Sequence, residues 1–371
     1  MSELGVRVPP NMFTSSRGQS LDVLRGVAVL LVIVDHYSLV IHSGNPIFST
    51  LGRGVDLFFV LSGFLISGLL FSEYRSTQTL NLKRFWIRRG FKIYPAFYIF
   101  VLITTIFAVP SRMPGKVFLS EALFLQGYFR HFWVHTWSLA VEEHFYFALP
   151  ILFLLLIRLS QNRENPFRAL PFISVLISAA CFYMRVLAGR HGGQLGIPTH
   201  LRIDALFAGV ALGYYAHFDH RSFRDAKRSW VLIIGLVFAL ALLIMPIFLQ
   251  LTFAYMAFSF IVAWAANREP QRSGYFGRPI AFIGRHSYSI YLWHAVVVLW
   301  LAWLPASWFR FPAYAVTAIL MGVVMSRLVE FPVLRLREKF FPSIPRQLMV
   351  PQQASANGSV PAPLATGEGV A

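Results

Sequence analysis

Charge is scarce in this chain, and acidic charge scarcest. Only 13 % of its 371 residues are Asp, Glu, Lys or Arg, where a soluble domain carries about 25 %. Sixteen acidic residues stand against 33 basic ones. The single cysteine, Cys181, excludes an intrachain disulfide framework and any Cys-x-x-Cys metal or redox motif. HExxH is absent as well; His131, His135 and His144 invite a zinc reading, but no third ligand falls at metal-site spacing, and no metal is expected. No repeat relates the two halves, which counts against an inverted-repeat transporter. The net charge of +17 would suit nucleic acid, yet no basic, aromatic surface domain exists to carry it, so no nucleic-acid partner is expected.

What the chain does have is apolar length. Hydrophobic residues make up 56 % of it and aromatic residues 16 %. Apolar runs lie near 21–37, 54–72, 92–109, 137–157, 169–188, 201–217, 230–249, 252–267, 280–303 and 313–331. Most approach the roughly 20 residues a helix needs to cross a bilayer. The expected fold is therefore all-α: a polytopic integral membrane bundle of about ten transmembrane helices, with 117–128 as an interfacial segment. Lys and Arg collect in alternate loops, at 75–89, 158–168, 221–228 and 268–278, which puts both termini on the cytoplasmic side of the cell (inner) membrane. Residues 1–20 are expected to be a cytoplasmic tail without a cleavage site, and 21–342 one membrane domain. Residues 343–371, rich in Pro, Ala, Gly, Ser and Val, are expected to be disordered.

Four stretches could carry chemistry. In LDVLRGVAVLLVIVDHY, an eleven-residue step at about 100° per residue brings Arg25 and His36 to one face, roughly 16.5 Å apart along the axis. Snorkelling explains an Arg near a helix end, but Asp35 and His36 lie deeper, where ionisable groups are costly and mark function. Histidine titrates near neutrality and can take a proton from a hydroxyl. In GRGVDLFFVLSGFLISGLL, Ser62, Gly63, Ser67 and Gly68 make a packing surface, while Asp56 could orient His36. In KRFWIRRGFKIYPAFY, the residues Arg88, Arg89 and Lys92 satisfy the positive-inside rule or form a phosphate-binding mouth, and Pro95 falls in the first turn or so of its helix. In HTWSLAVEEHFYFALP, Trp137, Ser138, Glu142 and Glu143 enter a span, and adjacent carboxylates point about 100° apart, so one should face the core and the other a polar partner. Arg202 and Asp204 read as an internal ion pair, and His294 as a packed core histidine.

Together these stretches resemble the acyltransferase 3 family of integral membrane proteins. The resemblance covers about residues 18–335 and rests on Arg25-x10-His36, GVDLFFVLSGFLI, RRGFKIYP, WSLAVEEHFY, RIDAL, SYSIYLWH and VEFP, in that order. It implies an enzyme that moves an acyl group, commonly acetyl, from acyl-CoA to a hydroxyl of a carbohydrate or glycoconjugate, with no permanently bound cofactor. By the same resemblance His36 is the catalytic histidine, and Arg25, Arg89 and Lys92 serve the donor. The family often has Arg where Lys92 stands, which keeps the charge and loses the bidentate fork. Many relatives continue into an extracytoplasmic hydrolase-like domain, so the expectation here is a reaction completed in the bundle or handed to a separate protein. In the expected mechanism Arg25, Arg88, Arg89 and Lys92 hold the phosphates, while His36, oriented by Asp35, Asp56 or Glu142, acts as general base. An acyl-histidine intermediate is the alternative. The rival function is a glycolipid transporter or flippase that uses the same charges as a proton relay.

Overall fold

The computed structural model describes residues 16–40, 52–107, 115–192, 196–267, 277–301, 305 and 309–343. Of the expected tails, 1–20 and 343–371, residues 1–15 and 344–371 lie outside the described residues, and residues 16–20 are helical. Among the described residues every regular element is helical. In chain order the helices are α1 (Ser16–Val40), α2 (Gly54–Thr77), α3 (Leu82–Phe107), the short α4 (Gly115–Ala122), α5 (Trp137–Leu159), α6 (Leu170–Arg190), α7 (Ile203–Phe218), α8 (His220–Asp225), α9 (Ser229–Ala241), α10 (Ile247–Ala266), α11 (Gly277–Arg285), α12 (Ser287–Trp300), α13 (Arg310–Met325) and α14 (Phe331–Phe340). A π-helical turn, Ser326–Glu330, joins the last two.

Six helical segments among the described residues are long and apolar enough to cross a membrane: Gly54–Thr77, Leu82–Phe107, Val134–Leu159, Leu170–Arg190, Leu249–Ala266 and Arg310–Phe340. The multi-span bundle is therefore present at that coarser level. The run expected at 230–249 yields a helix of only 13 residues, α9, before the chain turns at 242–246. The run at 280–303 is divided at His286 into α11 and α12. A period of 3.6 identifies apolar helices, but it does not register such breaks.

Helix α1 packs against α2, α10, α11 and α12. Ala28, Val29, Val32 and Ile33 are buried along its inner stripe, and the spacing of three and four residues carries that stripe from Arg25 to His36. Close backbone approach on either side depends on glycine. A Cβ on Gly284 of α11 would lie 1.8 Å from the Asp22 carbonyl of α1. Between α2 and α7, a Cβ on Gly63 would lie 1.9 Å from the Leu206 carbonyl, and one on Gly209 would lie 2.2 Å from the Val60 carbonyl. This is the small-residue contact that membrane helices use to associate.

Pro95 differs from its expected place. Helix α3 begins at Leu82, so Pro95 lies in its interior. It removes the backbone donor that would bond the Phe91 carbonyl one turn earlier; two residues before it, the Ile93 carbonyl accepts from the Tyr288 hydroxyl of α12 at 2.9 Å, which ties α3 to that neighbouring helix.

Candidate active site

His36 ends the buried stripe of α1. Its Nδ1 lies 3.0 Å from the Val32 carbonyl one turn earlier. A carbonyl can only accept, so Nδ1 carries the hydrogen and Nε2 holds the lone pair of the neutral ring. The local helix thus fixes the tautomer. The expected orienting carboxylates do not: Asp35 Oδ2 is 4.0 Å from Nδ1, beyond hydrogen-bond length, while Asp56 and Glu142 are committed elsewhere.

Asp56 accepts from Arg202 Nη2 at 2.8 Å, with both side chains buried. The Arg202 guanidinium also lies 5.1 Å from the Trp137 ring and 5.7 Å from the Phe59 ring, within cation–π range. The expected Arg202–Asp204 pair is replaced: Asp204 Oδ2 instead lies 2.7 Å from Arg185 Nη1. Two residues apart at the start of a helix, Arg202 and Asp204 point in different directions, so each finds its counter-charge on another element.

Glu142 turns inward. It accepts from the Ser62 hydroxyl at 2.8 Å and the Tyr146 hydroxyl at 2.9 Å. Glu143, about 100° around the helix, accepts from the exposed Tyr94 hydroxyl at 3.0 Å. Ser138 lies 2.6 Å from the Tyr291 hydroxyl, which donates to the His135 carbonyl at 2.8 Å. That contact braces a second histidine.

Three imidazoles gather where the sequence marked one. The ring centroids of His36 and His294 are 4.8 Å apart, those of His135 and His294 5.1 Å, and those of His36 and His135 6.4 Å. His135 Nε2 is 3.1 Å from the Leu292 carbonyl, and His294 Nδ1 is 2.6 Å from the Tyr291 carbonyl. Phe100, Trp133 and Tyr291 contact the His135 ring. Among the described residues no set of three His, Cys, Asp or Glu side chains is arranged to hold a metal. The segment that carries His135 is tied down on both sides by Glu121 of α4, which no motif in the sequence marks. The Glu121 carboxylate accepts from the backbone N–H of Phe132 (2.9 Å) and Trp133 (3.1 Å) and from the Thr136 hydroxyl (3.0 Å). Burial pushes its carboxyl above the ordinary range, and those hydrogen bonds act against the shift.

The other end of the α1 stripe is basic. Arg25 bonds Asp22 at 3.0 Å and is half-buried. Lys92 lies within electrostatic reach of Arg25, Arg89, Glu330 and Arg337, and the Arg89 guanidinium lies 5.8 Å from the Phe85 ring and 5.9 Å from the Tyr146 ring. Arg88 departs from its expected role on a phosphate. It donates to Glu338 and Ser343, at 2.8 Å each, and to the Phe341 carbonyl. With Arg84, which donates to the Pro342 carbonyl, it clasps the end of α14 to α3. Glu330, in the π-helical turn, is buried and accepts from the Ser289 hydroxyl at 2.8 Å. π-turns recur at functional sites, but their position is set by packing and is invisible to a periodicity argument.

Residues 19–327 match the family described as an acyltransferase domain. The chain is 27 % identical over 312 residues to a peptidoglycan O-acetyltransferase OatA of Listeria monocytogenes, an alignment covering 75 % of this chain and 49 % of that protein. It is 27 % identical over 371 residues to O-acetyltransferase OatA of Staphylococcus aureus, covering 88 % of this chain and 59 % of that protein. The chain thus spans about half the length of the curated relatives it matches. No solved structure matches. The matched region takes in α1 with Arg25 and His36, the basic face of α3, the Glu142 network and the three-histidine cluster, and the chain belongs to the acyltransferase domain family.

Proposed function

We propose that this chain is a multi-pass O-acyltransferase of the cell membrane that moves an acyl group, acetyl in the first instance, from acyl-CoA to a hydroxyl of a cell-envelope carbohydrate. The observation that carries the reading is the continuity of α1, which presents Arg25 among Lys92 and Arg89 at one end and His36, whose Nε2 has no hydrogen-bond partner among the described residues, at the other. A highly charged nucleotide cannot enter lipid, but a basic mouth can hold it while its thioester arm reaches inward. Ten crossings with cytoplasmic termini, the topology favoured by loop charge, would put that mouth on the cytosolic side and His36 toward the outer leaflet. Residues 21–342 would then act as one membrane domain.

In this mechanism Arg25, Arg89 and Lys92 hold the donor phosphates as point charges and forks. The acceptor hydroxyl attacks the thioester carbonyl as His36 Nε2 takes its proton; the C–S bond breaks, and the proton ends on the departing thiolate. The Listeria relative is a peptidoglycan O-acetyltransferase, which makes peptidoglycan the first acceptor to test.

The test is release of free CoA from acetyl-CoA by the purified protein in lipid nanodiscs, with a glycan acceptor. His36→Ala should abolish transfer while acetyl-CoA binding, read by calorimetry, persists. Normal turnover in that variant would overturn the assignment of His36. Glycan transport without thioester consumption by the wild type would overturn the acyltransferase reading.

A further inference from the structure

The mechanism above uses one imidazole, yet three stand together, and each has one nitrogen committed to a backbone carbonyl. His36 uses Nδ1 on Val32, His135 uses Nε2 on Leu292, and His294 uses Nδ1 on Tyr291. Since a carbonyl only accepts, the hydrogen of each neutral ring is on the committed nitrogen and its lone pair is on the other. For His294 that lone pair is on Nε2, which is buried with no hydrogen-bond partner among the described residues. The residue is 0 % exposed. A buried acceptor without a donor is destabilising in the resting protein, and the fold retains this one beside the proposed base.

Among the described residues no hydrogen-bond donor reaches His294 Nε2. The Tyr291 hydroxyl gives its hydrogen to the His135 carbonyl, and Ser138 bonds that same hydroxyl. The ring in closest contact is His36 itself, edge to face at 4.8 Å between centroids and 76° between planes. The His36 side chain is 22 % exposed, whereas His294 beside it is fully buried. What His294 lacks is a proton, and proton uptake is what His36 undergoes in the reaction.

We propose that His294 is the second station of a two-imidazole proton relay, acting through His36. The inference rests on the reading of His36 as general base. As the acceptor oxygen bonds to the acyl carbon and the C–S bond breaks, His36 Nε2 takes the hydroxyl proton. That proton passes to His294 Nε2 through one bridging water, which takes the proton from His36 Nε2 as it gives one of its own to His294, so two protons move in the step; the Tyr291 carbonyl holds the Nδ1–H of the resulting imidazolium. It returns through His36 to the CoA thiolate, leaving an ester, a thiol and two neutral rings. The orphaned acceptor is satisfied only once charge has developed, so the interaction favours the transition state over the ground state.

Two measurements test this. In H2O–D2O mixtures the rate of CoA release by the wild type should curve with deuterium fraction, as two protons move. His294→Gln keeps a hydrogen-bonding side chain that cannot accept a proton; it should give a straight line, a kcat lower by about 10²-fold, in line with loss of acid–base assistance, and an unchanged KM for acetyl-CoA. A kcat within twofold of wild type, or the same curvature in both proteins, would overturn the relay. The second measurement needs no donor, so it separates failure of the relay from failure of the acyl-CoA reading. In 15N-histidine NMR of the full-length wild-type protein, the Nε2 signals of His36 and His294 should move together through one protonation step. Movement of His36 alone would overturn the proposal.

Discussion

Breaking the buried ion pair between Asp56 and Arg202 should destabilise the bundle by a measurable amount. The two side chains meet at 2.8 Å, with 4 % of Arg202 and 2 % of Asp56 exposed. Removing one partner of a buried ion pair strands the other charge and costs about 3–5 kcal/mol. Among the described residues only Oδ1 is bonded and the buried Oδ2 has no hydrogen-bond partner, so the pair is single-legged and the lower end, about 3 kcal/mol, is expected for Arg202→Leu. That is a factor of more than about a hundred in the folded-to-unfolded ratio. Asp56→Asn should cost less, because its amide oxygen still accepts from Arg202. The double variant Asp56→Leu/Arg202→Met removes both charges and should recover much of the loss. Cys181, the chain's single cysteine, is 1 % exposed, so thermal unfolding in detergent can be followed with a thiol-reactive dye that labels it only when the bundle opens. CoA release is then measured on the folded fraction. If Asp56→Asn leaves the unfolding midpoint unchanged, abolishes turnover, and is not relieved in the double variant, Asp56 belongs to the chemistry and the ion-pair argument is wrong.

Gly209→Ala should lower the unfolding midpoint through an overpacking cost of about 1–3 kcal/mol, because its new Cβ would meet the Val60 backbone carbonyl at 2.2 Å with no flexible tip to move aside; an unchanged midpoint in the same dye assay would contradict the α2–α7 contact. Arg88→Ala should leave the KM for acetyl-CoA near wild type and expose residues 338–343 to limited proteolysis, since Arg88 is spent on Glu338, Phe341 and Ser343. Arg89→Ala should raise that KM several-fold, and a reversal of the two phenotypes would return the phosphate to Arg88. Glu121→Ala should lower kcat by loosening the segment that holds His135, at a stability cost of about 1–3 kcal/mol for the stranded backbone N–H groups, and kinetics indistinguishable from wild type would refute that role.

The histidine cluster marks the limit of what can be read from one segment at a time. Arg25 marks His36 by sharing its helical face. SYSIYLWHA, taken alone, reads as a buried helix with His294 in its core, and the burial of His294 is complete. The pairing joins α1 to α12, and nothing in either segment names the other. The same holds for Arg88, whose basic neighbours suggested phosphate until α14 occupied it.

By itself the sequence determined the solvent and the material: too little charge and too much apolar length for anything but a membrane bundle, with Arg25, His36, the Glu142–Glu143 pair and the basic start of α3 at periodicities that fix which side of each helix they occupy. Tertiary structure alone decided which neighbour meets each side: Asp56 with Arg202, Asp204 with Arg185, Glu121 with the segment before α5, and His36 with His294. Helical period is a local property set within a few residues, whereas these partners lie 146 residues apart in the case of Asp56 and Arg202. They meet because glycines such as Gly63, Gly209 and Gly284 let particular backbones close to contact distance.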